Sequence, residues 1–70
     1  MIMFELPEDV HVELTIIDIR GTTVTKLVDT LLNSGEHKVA FDANTLPSGV
    51  YFYQLKANNF KQTRKLIILK

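Results

Sequence analysis

Leu46-Pro47-Ser48-Gly49-Val50-Tyr51-Phe52-Tyr53-Gln54-Leu55 decides the fold class of this chain. Its first four residues are turn chemistry. Pro47 fixes one backbone angle, and Gly49 suits a position that needs positive φ, which is expected there. The next six are dominated by β-branched and aromatic residues, the composition of a strand. Tyr51, Tyr53 and Leu55 fall on one parity, and Val50 and Phe52 fall on the other. Bulk on both parities predicts a central strand, residues 50–57, covered on both faces.

The same grammar extends in both directions. Downstream, Asn58-Asn59 separates this strand from a second strand-like run over residues 60–69. Asn tolerates left-handed backbone, so a two-residue type I′ hairpin is expected there. The closing stretch Arg64-Lys65-Leu66-Ile67-Ile68-Leu69-Lys70 runs to the last residue given, which predicts a C-terminus built into a sheet. Upstream, Val10, Val12, Leu14 and Ile16 alternate with His11, Glu13, Thr15 and Ile17. That is the period of a half-buried strand. Asp18-Ile19-Arg20-Gly21 then has the residues of a type I turn, with Asp first and Gly fourth.

Residues 22–32 fit two readings. Val24, Leu27, Val28, Leu31 and Leu32 match helical spacing, and they also match a strand with a bulge near Lys26-Leu27. The threonines at 22, 23, 25 and 30 and the strand neighbours favour the bulged strand. Asn33-Ser34-Gly35 marks a turn, and residues 36–42 alternate again. Residues 2–6 form a short strand stopped by Pro7. The sum is about six or seven short strands at roughly ten-residue intervals, the pattern of an all-β, Greek-key or immunoglobulin-like sandwich of antiparallel strands.

Seventy residues allow one domain. A chain of this size buries only about 60% of its unfolded surface, so its core has little to spare. The 46% hydrophobic content excludes disorder. With no cysteine there is neither a disulfide framework nor a thiolate metal site. No stretch approaches the ~20 apolar residues that a membrane-spanning helix needs.

The formal charge is zero, which argues against nucleic-acid binding. Its distribution is uneven. All eight acids lie within residues 1–42 against Arg20, Lys26 and Lys38, giving −5; Lys56, Lys61, Arg64, Lys65 and Lys70 leave the rest at +5. Either the two halves face one another with cross-strand charge pairs, the preferred reading, or a basic C-terminal strand awaits an acidic partner.

A search for chemistry finds little. His11 and His37 stand on different strands and read as outward surface residues, since two imidazoles do not make a metal site. No closely spaced acids suggest a calcium loop. Ser34 and Ser48 sit in turns beside Gly, where small residues are expected. Tyr51, Phe52 and Tyr53, with Phe41 and Phe60, read as core rather than as a sugar platform. No enzyme activity, metal or cofactor is expected.

Five segments, taken in order, resemble the C-terminal sorting domain of the type IX secretion system, type A. They are Phe4-Glu5-Leu6-Pro7; Val12 to Gly21; Gly35-Glu36-His37-Lys38-Val39-Ala40-Phe41-Asp42; Leu46 to Leu55; and Arg64 to Lys70. Immunoglobulin-like domains of the flagellar-hook-capping type read similarly. Members of the sorting family usually begin with an Asn-Pro segment and a further strand. The resemblance therefore implies one sandwich domain, residues 1–70, lacking that leading segment.

The resemblance implies a non-catalytic signal that directs an attached N-terminal cargo through the outer-membrane translocon. Its partners would be the translocon and a sortase. Its route would run through the periplasm to the cell surface or the medium. The residues expected to carry recognition are Lys65, Leu66, Ile67, Ile68, Leu69 and Lys70, with Gly49 and Tyr51. Asp18, Gly21, Gly35, Pro47, Asn58 and Asn59 are expected to shape the turns. Two other readings stand beside this one: an accessory carbohydrate- or protein-binding module, and a module that self-associates through an exposed edge strand.

Overall fold

A computed structural model of the protein describes residues 2–69. Six strands run in chain order: β1 (Ile2–Leu6), β2 (Val10–Asp18), β3 (Thr23–Leu32), β4 (Gly35–Val39), β5 (Gly49–Ala57) and β6 (Phe60–Ile68), with one 3-10 turn at Ala43–Thr45. They form two antiparallel sheets, β1-β4 and β3-β2-β5-β6. The architecture is a small immunoglobulin-like sandwich, as the strand spacing predicts.

The alternation in β2 sets the core. Val12, Leu14 and Ile16 are fully buried. Leu14 and Ile16 lie opposite Leu55 and Tyr53 of β5, and Val12 lies opposite Ala57. Ile2 and Leu6 of β1 close over the same cluster from the second sheet. Burying a large aliphatic side chain contributes roughly 1.5–3 kcal/mol each, so β2 supplies much of the folding free energy.

Residues 22–32 settle as a strand with two register shifts against β2. Leu14 pairs with Val28 and Thr15 with Lys26, which leaves Leu27 as an extra residue. Ile16 pairs with Thr25 and Ile17 with Thr23, which leaves Val24 extra as well. Both extra residues pack against the core. The bulges explain the ambiguous spacing, because they turn Leu27 and Val28 inward together in a way that strict alternation forbids.

The turns follow their side chains. Gly21 N–H donates to the Asp18 carbonyl at 3.0 Å, and Asp18 Oδ1 accepts from the N–H groups of Arg20 and Thr22 at 2.9 Å each. Gly21 itself has φ 85°, a conformation that disfavours a Cβ. Ser34 N–H donates to Asp9 Oδ1 at 2.8 Å, tying the β3–β4 turn to the β1–β2 turn. Asn58 Nδ2 donates to Glu8 Oε1 at 3.3 Å, linking the last hairpin to the same end.

Four expectations need correction. The Asn58-Asn59 hairpin has two residues, but only Asn58 takes positive φ, at 57°. Type I′ needs it at both central positions. The alternating strand at 36–42 stops at Val39, and Asp42 instead caps the 3-10 turn by accepting from Asn44 N–H at 2.9 Å. β5 is central within its sheet but covered on one face only. Phe52 and Val50 are half-buried on the outer face, because a two-layer sandwich has no third layer to cover them. Phe60 stands 53% exposed at the start of β6, outside the core.

Leu14→Ala tests this hierarchy. Removing a fully buried Leu between both sheets should destabilise the domain by about 3 kcal/mol, read as a lower urea midpoint with an unchanged slope. A loss below about 1 kcal/mol would mean that β2 is not the packing centre.

Candidate functional site

β6 lies at the edge of the larger sheet and pairs only with β5 among the described residues. An edge strand presents a row of unpaired N–H and C=O groups along its open side. The C-terminal stretch is therefore in the sheet and open on one flank.

Alternation divides the residues expected to carry recognition into two sets. Leu66 and Ile68 point to the core side, Ile68 fully into it. They lie opposite Tyr51 and Gly49, in the order Tyr51–Leu66 and Gly49–Ile68. Lys65 and Ile67 face the other way, outward, and Ile67 is 56% exposed. Leu69, just past the strand, is 86% exposed. Lys70 lies outside the described residues.

Tyr51 is buried, and its hydroxyl donates to the Pro47 carbonyl at 2.8 Å. That bond fixes the Leu46–Ser48 loop to the start of β5, which in turn fixes the end of β6. Gly49 has φ 159°, the positive φ expected at this position and a value that L side chains rarely adopt. Space is not the constraint there, since a Cβ would meet Tyr51 Cε2 at an ordinary 3.8 Å. Pro47 contributes its carbonyl to the Tyr51 anchor.

The outer face beside Lys65 and Ile67 carries apolar residues that the sequence reading did not assign to a site. Ile17 lies opposite Phe52, Phe52 opposite Lys65, and Val50 opposite Ile67. Together they make an apolar area on the open face of three neighbouring strands. The available signal was Ile17, the one apolar residue on the polar parity of its strand.

Charge pairing between the acidic and basic halves is sparse. The register sets Glu13 opposite Lys56. Among the described residues, however, the ion pairs are His11–Asp29 and Lys26–Asp29, at 2.6 and 3.5 Å, both within the β2–β3 hairpin. Arg64 turns instead to Gln62, whose amide oxygen, rotated toward it, accepts from Nε at 3.0 Å and Nη2 at 2.7 Å. The preferred expectation of paired halves is not what holds the sheet together.

The two histidines are both engaged. His37 is only half exposed: it stacks on Phe4, centroids 5.5 Å apart, and its Nε2 donates to the Asn33 carbonyl at 2.7 Å. That corrects its reading as an outward residue. The ring helps to close β4 over β1, where Phe4 and His37 are register partners. His11 does face outward, and its Nε2 donates to Asp29 Oδ1.

The sequence pattern that defines the family described as "secretion system C-terminal sorting domain" matches residues 1–69. The chain belongs to this family, the type IX sorting domains that its motifs resemble. It is a C-terminal sorting signal for type IX secretion, a class defined by sorting rather than by catalysis, and one whose role entails contact with the secretion machinery and export through the outer membrane. No helix among the described residues is long and apolar enough to cross a membrane. Comparison with curated proteins gave no match, and neither did comparison with solved structures.

Two outcomes test the local chemistry. Tyr51→Phe deletes one partly buried hydrogen bond and should cost about 1 kcal/mol, with the loss visible as faster amide exchange around residues 46–49. The Asp29 carboxyl is held below its ordinary value of 3.8, first by the hydrogen bond from His11 and further by the Lys26 charge, with partial solvent exclusion opposing them. A carboxyl depressed on folding stabilises above its unfolded value and loses that contribution as pH falls through its folded value. In a carbon-detected NMR titration Asp29 should therefore titrate below 3.8, and His11→Ala should move it upward.

Proposed function

We propose that the domain directs an N-terminally attached cargo through the type IX translocon by offering the open flank of β6 as a strand to be paired. The position of β6 at the sheet edge carries this reading. Main-chain pairing would supply binding, while outward side chains would select the partner. On this reading Lys65, Ile67 and Leu69 touch the machinery, and Lys70 extends the same basic-apolar ending. Leu66, Ile68, Gly49 and Tyr51 act by position: they hold the strand so that its outer face is presented. Pro47 serves the same purpose through Tyr51.

The sparse pairing of the basic half supports the reading. Lys56, Lys61 and Lys65 all point outward from β5 and β6, without a carboxylate contact among the described residues. Such a face favours an acidic partner surface and speeds encounter with it. The domain works by recognition and is not an enzyme. It passes through the periplasm with its cargo, meets translocon and sortase there and at the outer membrane, and releases the cargo at the surface or into the medium.

The test uses a secreted reporter, with its own signal peptide, fused ahead of the domain in a bacterium that has this system. Lys65→Glu with Ile67→Glu changes only exposed side chains, so the melting temperature should hold while export falls roughly tenfold or more. Removing residues 66–70 should abolish export. Export that survives both changes would end the proposal.

A further inference from the structure

The outer face of the β2–β3 hairpin holds a side-chain group unrelated to β6. His11 and Glu13 are two residues apart on β2 and so share a face. Asp29 of β3 lies directly opposite Glu13 in the register. One donor atom from each of the three lies within 4.8 Å of the others. Two strands of one hairpin position all three, and the side chains of His11 and Asp29 are 58% and 44% exposed.

We propose that His11, Glu13 and Asp29 form a binding site for a divalent transition-metal ion of the zinc type. Donors around zinc stand at about 2.0–2.2 Å from the ion, so in a tetrahedron they are roughly 3.3–3.6 Å from one another. The three donors, all within 4.8 Å of one another, lie a little over an ångström at most beyond that spacing. For Nε2 to bind the ion, the neutral His11 ring carries its proton on Nδ1 instead, exchanged through solvent, and the His11–Asp29 contact opens from 2.6 Å as the ion replaces the shared proton. One imidazole with two carboxylates suits zinc, and it falls well short of the six to eight oxygens that calcium takes. The fourth position faces solvent and would hold water.

Charge gives the site a reason to accept a cation. Glu13 and Asp29 are like charges directly across an antiparallel pair, an arrangement that destabilises the hairpin. His11 and Lys26 offset it in part, through different oxygens of Asp29: His11 through Oδ1, and Lys26 through Oδ2 at 3.5 Å. Lys56 stands opposite Glu13 on its other side. A dication at the centre of the three donors would neutralise both carboxylates at once. The lysines compete with it, which sets a modest affinity and leaves the ion exchangeable.

The experiment titrates zinc chloride into the 70-residue domain at neutral pH by calorimetry. It then titrates cobalt(II), a paramagnetic substitute, into isotope-labelled protein by NMR. One zinc per chain should bind. Cobalt should broaden the amides around residues 11, 13 and 29 before any others. His11→Gln, Glu13→Gln and Asp29→Asn should each weaken zinc binding roughly tenfold or more, while His37→Gln leaves it unchanged. Three results would each overturn the site: no saturable zinc binding below about 1 mM, cobalt broadening centred elsewhere, or the three variants binding like the unaltered protein. The cobalt measurement needs no variant, so a substitution that failed to fold would not protect the proposal.

Discussion

The pairing of β2 with β5 is the constraint from which the rest of the domain follows. Among the described residues it is the one junction between two hairpins, β2–β3 and β5–β6, in the larger sheet. An isolated hairpin is marginal in water, so neither half of the sheet would persist alone. The seven register pairs from Val12–Ala57 to Asp18–Tyr51 bring together segments some forty residues apart. That closure costs entropy before it returns any contact. Complete burial of Val12, Leu14 and Ile16 offsets it, and a slip of one residue would expose all three at once. The position of β6 is inherited from this register through β5.

How far the sequence discloses this depends on whether a feature is local. The alternation in β2, the Asp18–Gly21 turn and the strand character of Val50–Leu55 rest on neighbouring residues, and each appears where the pattern puts it. The bulge near Lys26-Leu27 was visible as a conflict between helical spacing and threonine content, and two register shifts resolve it. What stayed hidden depends on partners distant in the chain. Whether Phe52 is covered depends on how many layers the fold has. The Asp29 partner of His11 emerges only when the hairpin register is fixed, since it lies eighteen residues away. The stacking of His37 on Phe4 is likewise a property of β1 meeting β4.

The residues expected to carry recognition show the same division from another side. As a linear motif, Lys65 to Leu69 looks like one unit. In the sheet it is two interleaved sets, because successive side chains leave opposite faces. Leu66 and Ile68 join Tyr51 and the core, while Lys65 and Ile67 remain outside. On the proposed reading, such a motif is demanding at every position for unrelated reasons: alternate residues keep the strand in place, and the others would meet the partner. On that reading, substitutions at neighbouring positions would report on different physics, stability at one and binding at the next.

An open strand edge carries a hazard, since two copies could pair through it. The charges on β6 weigh against that outcome. An antiparallel self-pairing centred on Thr63 would set Lys61 of one copy against Lys65 of the other, twice, with no acid on the strand to relieve it. Like charges directly opposite destabilise such a pair. A partner strand bearing acidic residues at those positions would gain where a second copy loses. On the proposed reading the lysines would act in two directions with one chemistry, protecting the edge from its own kind while leaving it open to a complementary chain. Self-association of the domain would therefore favour another of the free edges, β3 in the larger sheet or β1 and β4 in the smaller, over β6.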